Sequence, residues 1–363
     1  MRKKIWIDLD NSPHVLFFSP LIKTLENKNF KTIVTVRDYA QVIGLTKVFN
    51  IKCKIIGKHY GKNKILKSFG LILRAMQLMP IIYKEKPDIA FSHYSRSQVL
   101  AAKIFRIPTI VAYDYEYIQD LIFIHPTLYL VPEVVYENLI ITKKNRYAYY
   151  PGLKENVYMN NNEVDSSIVK QLGIEKDDIV VTVRPPATEA HYHNKKSSKL
   201  FELVINNLIH EKKAKLIMLP RTKTQESFIR KKWASTLEAK KMKIPHKVLN
   251  GTDIIKISDM VISGGGTMIR EAAAVGVPAY SFFCGKMGAV DHDLVRKGKL
   301  NIIESENDVK KKLKCIKKYD LKIEKTNENP TIDSIVHHVQ NIVVYKEHSY
   351  QPVYNAGIKN DLE

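Results

Sequence analysis

The chain is poor in the features that usually name an enzyme at sight. Its three cysteines, Cys53, Cys284 and Cys315, lie far apart and have no metal-ligand spacing. A structural zinc site and a disulfide framework are therefore not expected, and stray thiols of this kind fit a reducing compartment. No run approaches the 18 or so apolar residues of a membrane span, and the N-terminus turns acidic at Asp8, so no signal peptide is expected. There is no Walker motif and no Gly-x-Ser-x-Gly elbow. The absence of Gly-x-Gly-x-x-Gly after the first apolar run argues against a nicotinamide enzyme. Acid is also scarce. Against 37 Asp+Glu stand 58 Lys+Arg, a formal charge of +21 over 363 residues. That balance favours polyanionic partners: phosphorylated substrates, anionic lipid or nucleic acid. The lysines are spread widely and no zinc finger or aromatic RNA-binding motif appears, so nucleic acid is not expected.

What is present is an alternation of short apolar runs with helix-like stretches, twice over. Lys4 to Asp10, Lys31 to Val36, Ile51 to Ile56, Asp88 to Ser92 and Thr109 to Tyr113 read as strands. Leu121 to Val131 and Arg146 to Tyr150 complete a first series. Helices are predicted from about Ser19-Pro20, from Arg37-Asp38, and over His93-Tyr-Ser-Arg-Ser97 to Phe105. Composition changes over Gly152 to Asp165, which reads as a linker. A second series has strands at Ile179 to Val183, Lys215 to Leu219, His246 to Leu249, Met260 to Ile262, Ala279 to Phe283 and Leu300 to Ile303. Between and after them lie helices at about Lys195 to Lys212, Gln225 to Lys241, Asn307 to Tyr319 and Thr331 to Tyr345. The pace is that of βαβ units, so the expectation is an α/β chain with parallel sheets. Its domains are 1–155 and 165–330, then a C-terminal helix at 331–345 and an irregular tail at 346–363.

The most informative stretch is Ser263-Gly-Gly-Gly-Thr267 and the helix formers behind it. Glycines between a strand and a helix let backbone N–H groups approach a ligand. The helix start adds unpaired donors and a positive dipole end. Gly264, Gly265, Gly266 and Thr267 thus suit a diphosphate; the competing reading is a tight turn that binds nothing. Arg184 and Arg221 follow other strands of the same half and can clamp phosphate, or make surface salt bridges. Glu271, one turn into the helix, can accept from a ribose diol or pair with Arg270 or Lys286. Asp291 and His292 either reach a sugar or cap the next helix. In the first half, His14 is the candidate general base, since an imidazole titrates near pH 6.5, with Asp8 and Asp10 near in sequence to orient it. The competing role for His14 is helix capping. No metal is required by any of these residues.

One stretch fits none of this. Gly57 to Lys86 carries Lys58, Lys62, Lys64, Lys67, Arg74, Lys84 and Lys86 against the single acid Glu85, interleaved with apolar residues. It reads as a crossover helix with its apolar face on the sheet and lysines in water. It also fits a patch for an anionic membrane surface.

The run Ser263 to Pro278 resembles the nucleotide-sugar loop of GT-B-fold proteins. These include the non-hydrolysing UDP-N-acetylglucosamine 2-epimerases and the lipid-linked N-acetylglucosamine transferase of peptidoglycan synthesis. The chain as a whole, over roughly residues 1–345, resembles a poorly characterised archaeal and bacterial family of that superfamily. That likeness rests on Ile7-Asp-Leu-Asp-Asn-Ser-Pro-His-Val15, Val36-Arg-Asp38, Val183-Arg-Pro-Pro-Ala187 with His191-Tyr192, and Gly285-Lys-Met-Gly-Ala-Val-Asp291. The resemblance implies two Rossmann-like domains facing a cleft, the first for the acceptor and the second for the nucleotide sugar. It implies that Gly264 to Thr267 hold phosphate, that Glu271 holds the ribose and that His14, beside Asp10, serves as base. The chain departs from the epimerases after strand one, where their Arg-Pro-Glu loop is replaced by Asn11-Ser-Pro-His14. The resulting expectation is a glycosyltransferase in the cytoplasm or at the inner face of the membrane. It would use a nucleotide-activated sugar, UDP-linked, as substrate without a resident cofactor, in cell-surface or lipid-linked glycan synthesis. A sugar-nucleotide epimerase is the alternative.

Overall fold

A computed structural model describes residues 2–60, 64–117, 124–139, 146–159, 164–186, 195–245, 249–318 and 329–344. The chain divides into two compact units, Met1–Tyr158 with Glu328–Glu363, and Met159–Asn327.

The first unit contains β1 (Lys4–Leu9), α1 (Ser12–Asn27), β2 (Lys31–Asp38), α2 (Val42–Val48), β3 (Lys54–Lys58), α3 (Lys64–Glu85), β4 (Ile89–Ser92), α4 (Arg96–Ile104), β5 (Thr109–Ala112), β6 (Leu128–Pro132), α5 (Glu133–Asn138), β7 (Tyr147–Tyr150) and α6 (Asn156–Met159). Its described strands form one sheet in the order β3-β2-β1-β4-β5-β6-β7, with every pairing parallel. Parallel strands covered on both faces need continuous apolar runs, and β4, β5 and β6 are buried along their whole length.

The second unit contains α7 (Ser167–Leu172), β8 (Ile179–Arg184), α8 (Lys195–Leu208), β9 (Ala214–Met218), α9 (Lys223–Lys232), α10 (Ala234–Glu238), β10 (Met242–Lys243), α11 (Gly251–Ile257), β11 (Met260–Ser263), α12 (Gly266–Ala274), β12 (Ala279–Ser281), α13 (Ala289–Arg296), β13 (Leu300–Ile302) and α14 (Glu306–Lys312). Its sheet runs β10-β9-β8-β11-β12-β13 among the described residues, again with parallel pairings. In both sheets the strand order reverses beside a central strand, and open α/β sheets bind ligands at the carboxyl ends of strands near such a switch.

The last helix, α15 (Pro330–Val344), belongs to the first unit. It buries Ile335, Val336, Val339, Ile342 and Val343. Its Thr331 hydroxyl donates to the Pro151 carbonyl at 2.9 Å, and His338 Nε2 lies 3.1 Å from the Tyr149 carbonyl.

Several local expectations are corrected. The first helix starts at Ser12 rather than at Ser19-Pro20, because Asn11 is its N-cap and Pro13 falls in the first turn, where its missing N–H is tolerated. β2 continues through Arg37-Asp38, and the next helix waits until Val42. The third strand is Lys54–Lys58, displaced from Ile51 to Ile56. The charged helix breaks at Trp233, whose ring packs on Phe201. The helix expected over Asn307 to Tyr319 stops at Lys312. The strand expected at His246 to Leu249 and the starts of Leu121 to Val131 fall largely outside the described residues. So do Asn160 to Asn162, His191-Tyr192 and the tail 346–363.

Candidate functional site

Three carboxyl ends of the first sheet converge on a buried polar cluster. Asp8 in β1 lies beside Thr35 of β2 and Ser92 of β4 in register. It does not orient His14, as its nearness in sequence implied. Instead it is fully buried and takes a two-pronged grip from Arg74, with Nη1 and Nη2 each 2.7 Å from one carboxylate oxygen. The Ser95 hydroxyl donates at 2.5 Å and the Thr35 hydroxyl at 2.6 Å. Arg74 also reaches the Ile56 carbonyl through Nε at 3.0 Å. Burial alone would lower the Arg74 pKa, but the Asp8 charge and hydrogen bonds leave it raised. Asp8 is a clamp that ties β1, β2, α3 and the start of α4 together.

Asp10 is the residue that meets His14. Capping by Asn11 puts His14 in the first turn of α1, with its Nδ1 2.9 Å from Asp10 Oδ1. Arg37 lies on the other side, donating to the Asp10 carbonyl at 2.9 Å with Nη2 3.6 Å from Oδ2. Burial would raise the Asp10 pKa, but the contact with His14 and the charges of His14, Arg37 and Arg74 together hold it below the usual carboxylate value. Asp10 therefore stays ionised and sits at ion-pair distance from the imidazole. Both side chains keep some exposure, 17% for Asp10 and 13% for His14, so a substrate group can reach them.

The structure brings further residues to this pair. The His93 ring packs 4.8 Å from that of His14 and edge-on to Phe17 at 5.7 Å. Its Nε2 is 3.8 Å from Asp114 Oδ1, beyond hydrogen-bond reach. Lys154 Nζ is 2.6 Å from Asp114 Oδ2 and 3.8 Å from Glu155 Oε1, and His93, Asp114, Lys154 and Glu155 are all buried. Burial pushes the His93 imidazole down to about 3; Lys154 and His14 act in the same direction, and Asp114 and Asp10 oppose them. His93 is neutral at pH 7. The available signal was position: His93 and Asp114 each follow a strand's carboxyl end.

This shift has a consequence for stability. An unfolded histidine titrates near 6.5, so between pH 6.5 and about 3 the unfolded chain holds a proton that folded His93 does not. Stability from this group is complete above pH 6.5 and falls by about 1.4 kcal/mol per pH unit as acid is added. His93→Gln is expected to flatten the acid side of a plot of denaturation free energy against pH, relative to wild type. Parallel curves for the two proteins from pH 6.5 to 4 would refute the assignment.

In the second unit the glycines have separate reasons. A Cβ on Gly264 would stand 2.6 Å from the Phe282 ring and 2.9 Å from Pro186 Cα, so packing demands glycine there. A Cβ on Gly265 would first meet the guanidinium of Arg221, 2.8 Å from Nη2. Gly266 has room, with Arg270 3.7 Å away. Gly265 is the N-cap of α12 and offers no side-chain cap, which leaves the helix start for a ligand. Arg221 is held over this start by Nε donating to the Pro185 carbonyl at 3.3 Å, and Gln225 carries the Arg221 N–H at 2.9 Å and the Pro186 carbonyl at 2.7 Å.

Arg184 lies beside Ser263 in register. Burial lowers its pKa, with Glu271 partly opposing, and its Nε is buried without a hydrogen-bond partner. A guanidinium in that state fits an anion. Glu271 is buried on α12, in the field of Arg184 rather than exposed. Thr267 is half-buried in the first turn. Arg270 grips Asp291 through Nε at 2.7 Å and Nη2 at 3.0 Å. Asp291 thus ties α13 to α12, while His292 beside it is exposed. The glycine loop, Arg184, Arg221 and Glu271 come together; Asp291 and His292 stand at the next helix.

Comparison with known proteins places these features. The model of a family described as "Protein of unknown function (DUF354)" matches residues 3–346. An uncharacterised protein of Methanocaldococcus jannaschii is 27% identical over 309 residues, 82% of this chain and 86% of that protein. Among solved structures, the UDP-GlcNAc 2-epimerase of M. jannaschii superposes with a TM-score of 0.68 at 16% identity, over 93% of this chain and 99% of that one. A second structure of that enzyme is a complex with UDP-GlcNAc and UDP. The spinosyn forosaminyltransferase superposes with a TM-score of 0.65 at 13% identity, over 94% and 99%. At these identities the likeness establishes the fold, which is GT-B-like, the α/β class expected from the sequence.

Proposed function

We propose, for a chain that belongs to the DUF354 family, that it is an enzyme acting on a nucleotide-activated sugar, and that it transfers the sugar to an acceptor hydroxyl. The observation that carries transfer is the Asp10–His14 pair, with Nδ1 2.9 Å from the carboxylate. With Nδ1 turned to Asp10, Nε2 is the nitrogen that takes the acceptor proton. The acceptor oxygen then bonds to the anomeric carbon. The bond from that carbon to the diphosphate breaks, and the nucleoside diphosphate leaves with the electron pair. The second unit supplies the anion's environment: the start of α12, Arg184 and Arg221. A helix-dipole contact contributes about 0.3–1 kcal/mol, up to ~2 when partly buried, so the two arginines must supply much of the stabilisation of leaving-group charge. Glu271 would take the ribose hydroxyls. The reaction asks for no resident cofactor, and a UDP-linked sugar is the donor we expect, since an epimerase of this fold binds UDP-GlcNAc and UDP.

Epimerisation of the sugar nucleotide is the second reading. The likeness to the epimerase structures supports it, as do the buried acids Asp114 and Glu155 beside Lys154, groups suited to moving a proton on and off carbon. A panel of nucleotide sugars separates the two. Release of free nucleotide that depends on added acceptor supports transfer, and isomerisation without acceptor supports epimerisation. No turnover of any nucleotide sugar, with or without acceptor extract, would overturn both.

Gly265→Glu tests the anion site directly. Its carboxylate would enter the space under Arg221, and losing one or two charge-assisted contacts, about 1.5–3 kcal/mol each, predicts at least a ~10-fold loss of nucleotide affinity. Calorimetric titration that gives wild-type affinity would place the nucleotide elsewhere.

A further inference from the structure

The sequence leaves α3 with two compatible readings, and the structure adds a feature that the plainer one does not explain. A crossover helix with its apolar face on the sheet should show water its charged residues. The sheet-facing side of α3 is indeed apolar: Ala75, Leu78 and Ile82 are buried, with Arg74 clamping Asp8 among them. The opposite side is apolar too. Phe69 is 59% exposed, Ile72 53%, Met76 49% and Tyr83 73%, with Leu66 at 50% above them. At 3.6 residues per turn these positions share an arc of roughly 120°, and from Leu66 to Tyr83 they extend about 25 Å along the helix. Ile55 on β3, the strand to which Arg74 ties this helix, is 54% exposed as well. Scattered exposed apolar residues are ordinary, but a continuous exposed stripe marks an interaction surface.

The surroundings of the stripe are basic. Lys52, Lys54 and Lys58 lie on the β3 side, and Lys84 and Lys86 at the C-terminal end of the helix; all are exposed. Between residues 57 and 86 the sequence has one acid, Glu85, and it is held by Lys54 at 3.3 Å. Among the described residues, no helix is long and apolar enough to cross a membrane. An apolar arc flanked by lysines in excess of acid is the pattern of a helix that lies in the headgroup layer of an anionic bilayer.

We infer that the outward face of α3 is a docking surface for an anionic membrane. Phe69, Ile72, Met76 and Tyr83 enter the headgroup–acyl boundary, and the flanking lysines sit against lipid phosphate. This surface is made by the first unit alone and owes nothing to the nucleotide-sugar reading, so either can fail without the other.

The test is co-sedimentation of the full chain with vesicles of phosphatidylcholine alone and with about 30% phosphatidylglycerol. The expected result is binding to the anionic vesicles, weak binding to the neutral ones, and release at about 0.5 M salt. Phe69→Glu with Met76→Glu changes only exposed side chains, so the fold, checked by melting temperature, should hold. Its vesicle binding should fall at least about tenfold. Lys84→Glu with Lys86→Glu should reduce the salt-sensitive part. Equal sedimentation with both vesicle types, or a folded Phe69→Glu/Met76→Glu variant that binds like wild type, would overturn the inference. So would self-association in sedimentation velocity that the variant abolishes while no vesicle binding is seen, which would make a second copy of the chain the occupant.

Discussion

Replacing His14 with alanine is expected to lower turnover of the nucleotide sugar about 10²–10⁴-fold, the usual contribution of a positioned general base. The expectation comes from geometry. Asn11 capping starts α1 early enough to put the imidazole in its first turn, and Asp10, ionised through its neighbours, sits at ion-pair distance from the ring, 2.9 Å. Nucleotide affinity should stay within a few-fold of wild type, since the groups that would hold the diphosphate are on the second unit. Asp10→Asn should lower turnover less, because the imidazole would remain in place while losing its orienting charge. The measurement is kcat with the donor identified by the panel, alongside calorimetry for the nucleotide. Turnover of His14→Ala within about threefold of wild type would remove His14 from the chemistry.

Arg74→Met should destabilise the fold by about 3–5 kcal/mol, the range for breaking a buried ion pair and leaving one charge behind. Asp8 would keep the Ser95 and Thr35 donors at 2.5 and 2.6 Å but lose both guanidinium bonds. Adding Asp8→Leu to Arg74→Met removes the stranded charge and should recover part of the loss, since a paired apolar replacement of a buried ion pair is often neutral. Urea denaturation of the three proteins reads both effects. A loss below about 1 kcal/mol for Arg74→Met would mean that water reaches Asp8 in the folded chain.

The parallel sheets and the glycine loop were legible because their causes are local. Apolar runs such as Ile89–Ser92 mark buried strands, and three glycines between a strand and a helix mark a close backbone approach. The helix start was misplaced at Ser19-Pro20, although Asn11 caps the helix from Ser12. Pro20 sits inside α1 because packing of Phe17, Phe18 and Leu21 outweighs one missing hydrogen bond. His93 and Asp114 each follow a strand's carboxyl end, but their grouping with Lys154 could not be read in advance. These residues are brought together only when β4, β5 and the segment after β7 take their places in the sheet, and nothing local marks a lysine as buried. The pairing of Asp8 with Arg74 rather than with His14 is of the same kind. For α3, periodicity shows which residues share a face but not which faces are covered, so a helix apolar on two sides looked like a helix apolar on one.

The return of the chain at Glu328 has a consequence for biosynthesis. The first unit is interrupted after Tyr158 and closed by α15. At about 5–20 residues per second, the ribosome needs on the order of ten to forty seconds to make the intervening segment and that last helix. Throughout that interval the groove between α1 and β7, where Ile335, Val336 and Val339 will lie, is bare. The first unit is thus the earlier to be made and the later to be finished. A nascent chain stalled within the second unit exposes an apolar seam in the first, a point at which a chaperone would hold it.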